Sequence, residues 1–495
     1  MGEFESAETV DVAIIGTGFG GLAMAVSLDE AGIGPVIILE SSDRVGGTWR
    51  DNTYPGAACD VTSALYSFSF HPHVWSRKYP QQAEILDYIE EVVDGFGLRP
   101  KIRFGSTVET LVFDEERGRW DVGLADGRHI DARVVVSSVG QLNQPAFPEV
   151  DGVDSFAGPS FHSARWDHSV DLAGRRVGIV GTGASVIQFG PKVAEAAQST
   201  TIFQRSAPFV LPKPDPETPS WKRRLYAAVP PAQLVARVKN FALNEVFGAA
   251  IIGNIKLRAR VLDQWRTYMT SIVRDPSLRE VCTPDYELGC KRVLIADDWY
   301  PMVVRDDVEI TTSAITGIVP EGVVTADGET HELDVLIYGT GFKATDFLTP
   351  MRVTGRGGLS LDDRWADGAS AFSGVAVSGF PNLFILYGPN TNLGANSIVY
   401  MLETQARFIT SLLESAERSS MATLEVLASS EATWQAMIDE KSLSTAWVTG
   451  CHSWYTQKGR NTNNWPDLTF RYRRALKDPS LLDFDVRPAP EAART

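Results

Sequence analysis

Val12-Ala13-Ile14-Ile15-Gly16-Thr17-Gly18-Phe19-Gly20-Gly21 decides the architecture, because a short β-branched run gives way to spaced glycines and then to the helix-forming stretch Leu22 to Glu30. The order reads as strand, tight turn, helix. Gly16 permits the turn, Gly18 lets the backbone approach a pyrophosphate, and Gly21 allows the helix to pack closely on the strand, its N-terminus facing the anion. A second strand, Pro35 to Leu39, ends in Glu40 about 20 residues on, where a carboxylate can hold ribose hydroxyls. A bare glycine turn with no ligand is the competing reading, and the acid at the end of the second strand argues against it.

The pattern returns in the middle of the chain. Arg176 to Val180 reads as a strand before Gly181-Thr182-Gly183-Ala184-Ser185-Val186 and a helical stretch. Val186 stands where the third glycine would be, which predicts slightly wider packing of helix on strand. The next strand, Thr200 to Phe203, ends in Gln204-Arg205-Ser206 instead of an acid. A carboxylate would repel a 2′-phosphate, whereas Arg205 can grip it bidentately and Ser206 can donate to it. NADPH is therefore expected over NADH, the alternative being a solvated surface arginine. Two dinucleotide folds in one chain imply two cofactors that meet, one of them expected to be a flavin.

The remaining composition bounds the class. At 495 residues the chain exceeds one hydrophobic core, and 44% hydrophobic with 22% charged residues is that of a packed globular enzyme. A net charge of −16 argues against a nucleic-acid-binding face. Cys59, Cys282, Cys290 and Cys451 are scattered without a CxxC pair, so neither a disulfide framework nor a metal site is expected. The acidic start MGEFESAETVD lacks a secretion-signal pattern, and no apolar run approaches the ~20 residues needed to span a bilayer. The expectation is a cytoplasmic protein without an integral membrane segment; oligomeric state is not legible.

Leu333 to Tyr338 runs into Gly339-Thr340-Gly341-Phe342, which resembles the strand and turn by which two-dinucleotide flavoproteins return to their flavin domain. Asn382 to Leu386 and Gly388-Pro389-Asn390 lead into a helix from about Ser397 to Ser415 that closes that domain in such proteins. The expected fold is α/β, with two Rossmann-like dinucleotide-binding domains, for FAD and NADPH, and a helical insertion. The expected boundaries are 8–144 and 342–495 for the flavin domain, 145–211 and 288–341 for the NADPH domain, and 212–287 for the insertion. The insertion opens on Pro212, Pro214, Pro216 and Pro219 and continues with helical periodicity from Trp221 to Ile272. Its mixed aromatic and aliphatic residues read first of all as core; the second reading is that part of it, including Phe247 and Ile251, walls a substrate cavity.

Phe156-Ala157-Gly158-Pro159-Ser160-Phe161-His162-Ser163-Ala164-Arg165-Trp166-Asp167 matches the fingerprint FxGxxxHxxxW followed by Pro or Asp. Gly46-Gly47-Thr48-Trp49 and Tyr54-Pro55-Gly56 through Asp60 match a second signature. On these stretches the chain resembles the type I Baeyer-Villiger monooxygenases, from about Val10 to Pro466. Trp166-Asp167 separates it from ordinary flavin-containing monooxygenases, which usually carry Tyr with a basic residue there. The resemblance implies an FAD- and NADPH-dependent oxygenase that uses O2 to turn a small-molecule ketone into an ester or lactone through a C4a-peroxyflavin.

Gly289-Cys290-Lys291-Arg292, followed by Asp297 and Tyr300, resembles the family segment with its catalytic arginine. A permanently charged guanidinium can hold a peroxide anion and then the oxyanion of its adduct. The resemblance further implies that Asp60 positions Arg292, that Lys291 joins Arg205 at the 2′-phosphate, and that Trp454 folds over nicotinamide, with a core aromatic as the alternative. Thr456-Gln457-Lys458-Gly459-Arg460 departs from the common loop sequence toward the branch resembling 4-hydroxyacetophenone monooxygenase. The implied cofactor-binding set is Gly16, Gly18, Phe19, Gly21, Glu40, Gly47, Thr48, Trp49, Asp60, Gly181, Gly183, Ser185, Gln188, Arg205, Ser206, Lys291, Gly339, Thr340, Gly341, Asn390 and Trp454. His162 reads in part as a linker histidine that orders the crossing between domains. Oxidation of sulfur or nitrogen, or an NADPH-consuming flavin oxidase or reductase, are the competing functions.

Overall fold

The computed structural model describes residues 8–448 and 455–488. The opening motif forms a strand, Glu8–Ile15, and a helix, Phe19–Ala31, that starts three residues before Leu22. Glycine makes that early start possible. A Cβ on Gly21 would lie 2.0 Å from the carbonyl oxygen of Gly16, and one on Gly20 would lie 2.4 Å from Ser138 Oγ. The strand pairs in parallel with Val36–Leu39 on one side and His129–Ser137 on the other, Val12 standing opposite both Val36 and Val134.

The first sheet has eight strands. Seven run in the order 352–354, 108–114, 119–124, 129–137, 8–15, 36–39, 102–103, and the late strand Leu383–Ile385 pairs in parallel with residues 135–137. The chain thus comes back to its first sheet after a long excursion. Because successive strand residues face opposite ways, Val12 and Ile14 join the core under the helices Phe19–Ala31 and Ile398–Arg418, while Ala13 and Ile15 join the core containing Trp120 and Phe380. Burial on both faces is why this strand reads as a continuous apolar run.

The excursion builds a second, wholly parallel sheet of five strands, ordered Val308–Thr311, Ser199–Phe203, Arg176–Val180, Val335–Tyr338, Ser160–His162. Val186 begins the helix Val186–Ala196. Its Cγ2 fills the space beside Gly339, where a Cβ would meet it at 2.1 Å. The room that Gly21 provides within the first motif is provided in the second by a glycine on the neighbouring strand end.

The insertion is built on the helices Ser220–Ala228, Pro230–Ile251 and Ile255–Ile272, with a short fourth, Pro276–Val281, before its end. Trp265 and Met269 bury in the core of the second sheet, and Trp265 Nε1 donates to Tyr300 Oη at 3.0 Å. On the other side Arg237 donates to the carbonyl of Ser67 at 2.8 Å and lies 3.6 Å from the buried carboxylate of Glu403, so one cation fastens the insertion to the first sheet's helices. Among the described residues, no helix is long and apolar enough to cross a membrane.

Candidate active site

The helix Phe19–Ala31 opens on Gly18 without a side-chain cap, leaving its first N–H groups free for an anion. Nothing lies within 4 Å of where a Gly18 Cβ would be, so the approach is open. Gly47, at φ +52, sits beside it, a Cβ there meeting Gly18 Cα at 3.3 Å. Glu40 is buried and accepts from Thr17 N–H (3.1 Å), Thr17 Oγ1, Ser42 N–H and Arg50 Nη1 (2.9 Å). Burial opposes its ionisation, but the Thr17, Ser42 and Arg50 contacts prevail and hold its carboxyl below the usual range. It is an ionised carboxylate at the strand end, where ribose hydroxyls would lie.

At the second cradle, Gly181 has φ +104, and a Cβ there would meet Gly339 O at 2.6 Å, while Gly183 has only that oxygen near, at 3.9 Å. Arg205 is exposed at the end of its strand, and Lys291 Nζ donates to Ser206 Oγ and lies 4.4 Å over the Tyr286 ring. Burial, together with the nearby Arg205 charge, depresses the Lys291 ammonium. Two cations close together, far apart in sequence and one of them donating to a neighbouring hydroxyl, are a cluster that a phosphate dianion would relieve. The residues present therefore fit both groups.

Arg292 stands where the two halves meet. Its Nε and Nη2 lie 2.7 Å from Asp60 Oδ2, and Nη1 donates to the carbonyl of Leu393 at 3.3 Å. Asp60 first, against the opposing effect of burial, drives the guanidinium well above its ordinary range, so it is charged at every accessible pH. Tyr455 and Tyr387 border it; burial raises the Tyr455 phenol to about 12, while the Arg292 charge and a hydrogen bond from the Arg292 backbone pull the other way. Neither tyrosine was picked out from the sequence, because both lie far along the chain and carry no motif. Leu393 also lines a cleft with Gly248, Ile251, Ile252, Ala395 and Trp447, and Trp447 Nε1 donates to Gly289 O at 2.7 Å. Ile251 lines that cleft while belonging to the core of the second sheet, and Phe247 packs against the same core.

Several expected cofactor contacts are engaged elsewhere. Gln188 spends both ends of its amide on the loop 54–60, accepting from Tyr54 Oη (3.1 Å) and Ala58 N–H and donating to Ala58 O (2.9 Å). It fastens the second helix to the Asp60 loop. Asn390 is buried and donates to Asn461 O at 2.8 Å; Thr340 Oγ1 donates to Ala146 O across the chain crossing. Thr48 Oγ1 donates to Leu142 O at 3.2 Å, and Trp49 Nε1 to Tyr66 Oη at 3.0 Å. Ser185 lies by Tyr54. Gly341, at φ +82, and Phe19, buried among Tyr66, Phe68 and Tyr88, shape their segments. Trp454 and Cys451 lie outside the described residues. Cys290, two residues before Arg292, is disulfide-bonded, a pairing that the scattered cysteine spacing did not suggest; Cys59 and Cys282 are buried thiols.

The fingerprint residues build the second sheet's edge and the crossings. A Cβ on Gly158 would lie 2.5 Å from Asp334 O, and Trp166 packs edge-on against Phe161 and Phe189, with ring centroids at 5.1 and 5.2 Å. Phe156 is buried beneath Leu336 and Tyr338, and Asp167 accepts from Ser169 N–H and Oγ. His162 lies between Phe147 (5.6 Å) and Phe342 (5.7 Å), one from each crossing, and accepts the Ala164 N–H at Nδ1. Burial lowers its imidazole to about 4.

A chain with one nucleotide cradle on each of two sheets, the first mixed and the second wholly parallel, and a permanent cation at their junction, is a pyridine-nucleotide flavoenzyme. The family model described as pyridine nucleotide-disulphide oxidoreductase matches residues 13–240. A Baeyer-Villiger monooxygenase of Streptomyces coelicolor is 40% identical over 99% of this chain and 95% of its own length. The closed crystal structure of cyclohexanone monooxygenase superposes with a TM-score of 0.89 at 29% identity, covering 98% of this chain and 100% of that one. OTEMO in complex with FAD and NADP superposes at 0.87 with 26% identity, over 96% and 99%. The chain belongs to the Baeyer-Villiger monooxygenases. It is an FAD flavoprotein that draws its electrons from NADPH.

Proposed function

We propose that Arg292, oriented by Asp60, is the residue that directs oxygen insertion next to a ketone carbonyl presented by the cleft at Leu393, Ile251 and Trp447. The observation that carries this reading is the clamp: one carboxylate oxygen and one main-chain carbonyl hold the guanidinium at the junction of the two cradles. Bound FAD, reduced by NADPH, supplies the activation of O2. Arg292 meets the negative charge that develops on oxygen during attack and on the carbonyl oxygen afterwards. At ~4 Å and an effective dielectric near 20, one such contact is worth about 4 kcal/mol. Asp60 keeps the guanidinium aimed, and so costs no reorganisation when charge develops. Gly18 and the free helix start hold the FAD pyrophosphate, Glu40 its ribose; Arg205, Ser206 and Lys291 hold the NADPH 2′-phosphate.

Arg292→Ala tests the assignment. Flavin reduction by NADPH, followed by stopped-flow absorbance, is expected to stay near the native rate, while chromatography finds ester or lactone formation reduced by about a thousandfold, the loss of one ~4 kcal/mol contact. Native ester yield from the variant would remove Arg292 from the role. A panel of cyclic, linear and aryl ketones beside a sulfide tests the substrate class, and product from the sulfide alone would assign sulfur oxidation instead.

A further inference from the structure

The helix Pro230–Ile251 is turned inside out. Leu234, Val235, Val238, Ala242 and Val246 recur at helical spacing and form one stripe, and the stripe faces solvent: Val235 is 68% exposed, Val238 60% and Val246 54%. Two of the helix's charged residues face inward instead, where Arg237 donates to Ser67 O and Glu245 accepts from Asn396 Nδ2. The flanking helices extend the patch with Trp221 and Leu225 on one side and Ile255, 81% exposed, on the other. Exposed apolar side chains elsewhere, such as Phe147, Leu443 and Leu482, are scattered along the chain, whereas these recur on neighbouring helices, and an apolar surface of that kind calls for a cover.

Charge says what the cover is. From Ser220 to Arg266 the chain carries nine Lys or Arg against two Asp or Glu, whereas the whole chain has 46 against 62. Arg237 and Arg258 have carboxylate partners in Glu403 and Glu287. Arg223, Arg224, Lys239, Lys256 and Arg260 are exposed and form no ion pair among the described residues. A second copy of this chain in a two-fold contact would bring the same basic patch against itself. We propose that the insertion docks the enzyme on an anionic lipid surface, the stripe entering the boundary between headgroups and acyl chains and the free Lys and Arg meeting lipid phosphates. Trp221, apolar with one polar edge, suits that boundary. The helix lies in the surface and does not span it.

Flotation of the holoenzyme with vesicles tests this. With equal parts phosphatidylcholine and phosphatidylglycerol the protein is expected to float, and with phosphatidylcholine alone to stay behind. Raising salt to about 0.5 M is expected to release most of it, because the attraction is screened. Arg223→Glu combined with Arg224→Glu and Lys239→Glu, and separately Leu234→Gln combined with Val235→Gln and Val238→Gln, should each lower the partition coefficient by about tenfold or more. Bound-flavin absorbance and oxidation of a water-soluble ketone report that both variants remain folded, since every changed side chain is exposed. The proposal is overturned if the native enzyme fails to float with anionic vesicles at low salt. It is equally overturned if the two vesicle types bind alike and both charge reversal and salt are without effect, or if light scattering shows a dimer that the glutamine variant splits while the vesicles recruit nothing.

Discussion

Lys291 and Arg205 show how a single position acquires its chemistry from neighbours remote in sequence. Each is an ordinary cation alone; together, with the Ser206 hydroxyl on Lys291, they suit a dianion. Arg205→Ala or Lys291→Ala is expected to raise KM for NADPH by about 10- to 100-fold, the worth of one charged hydrogen bond, and to leave KM for NADH unchanged. Steady-state kinetics with both coenzymes checks this, and an equal rise for both would place the residues elsewhere. His162 makes a second prediction. Its folded-state value near 4 lies below the unfolded 6.5, so the neutral ring's contribution is fully present above pH 6.5 and is lost as pH falls through 6.5 toward 4. The loss is on the order of 3 kcal/mol. His162→Asn should therefore flatten the acid limb of a plot of unfolding free energy against pH; an unchanged slope would mean that the ring is not buried neutral.

At the scale of the element, the two glycine motifs solve one packing problem differently. Gly21 leaves the helix room on its own strand, whereas Val186 takes its room from Gly339 on the neighbouring one. Gly21→Ala would press a methyl to 2.0 Å from a backbone oxygen that cannot swing aside, and is expected to cost about 3 kcal/mol or more and to yield little soluble protein. Gly18→Ala meets nothing within 4 Å, so the fold should survive while the methyl occupies the place of the pyrophosphate. Circular dichroism should be native for Gly18→Ala and its flavin occupancy low; full occupancy would show that the nucleotide does not approach Gly18.

For the molecule as a whole, the fastening between parts matters as much as the parts. Gln188 joins the second sheet's helix to the Asp60 loop, and Arg237 joins the insertion to Glu403 and Ser67. The first fastening bears on the loop that carries Asp60, the partner of Arg292. Arg237→Ala leaves the Glu403 carboxylate buried without its cation, and a loss of about 3–5 kcal/mol is expected, read as a lower unfolding temperature with earlier flavin release. A thermal transition equal to the native one would show that water reaches Glu403 and that the fastening carries nothing.

The local pattern alone was enough for both nucleotide folds, because glycine spacing, apolar runs of strand length and the residue closing the second strand are short-range physical requirements. The strand at Val12 to Ile15, the strand Arg176–Val180 and the acid-to-arginine exchange at Glu40 and Arg205 were all legible that way, though the first strand begins earlier, at Glu8. Family resemblance, not spacing, singled out Arg292 and Asp60. Only the tertiary structure decided that Gln188 and Asn390 spend their amides on internal ties, that Tyr387 and Tyr455 border the guanidinium, that Gly339 makes room for Val186, and that the insertion's helix faces outward with its apolar side. Each of these depends on which distant segment arrives opposite a side chain, and that is set by packing of the whole chain, which no local spacing encodes.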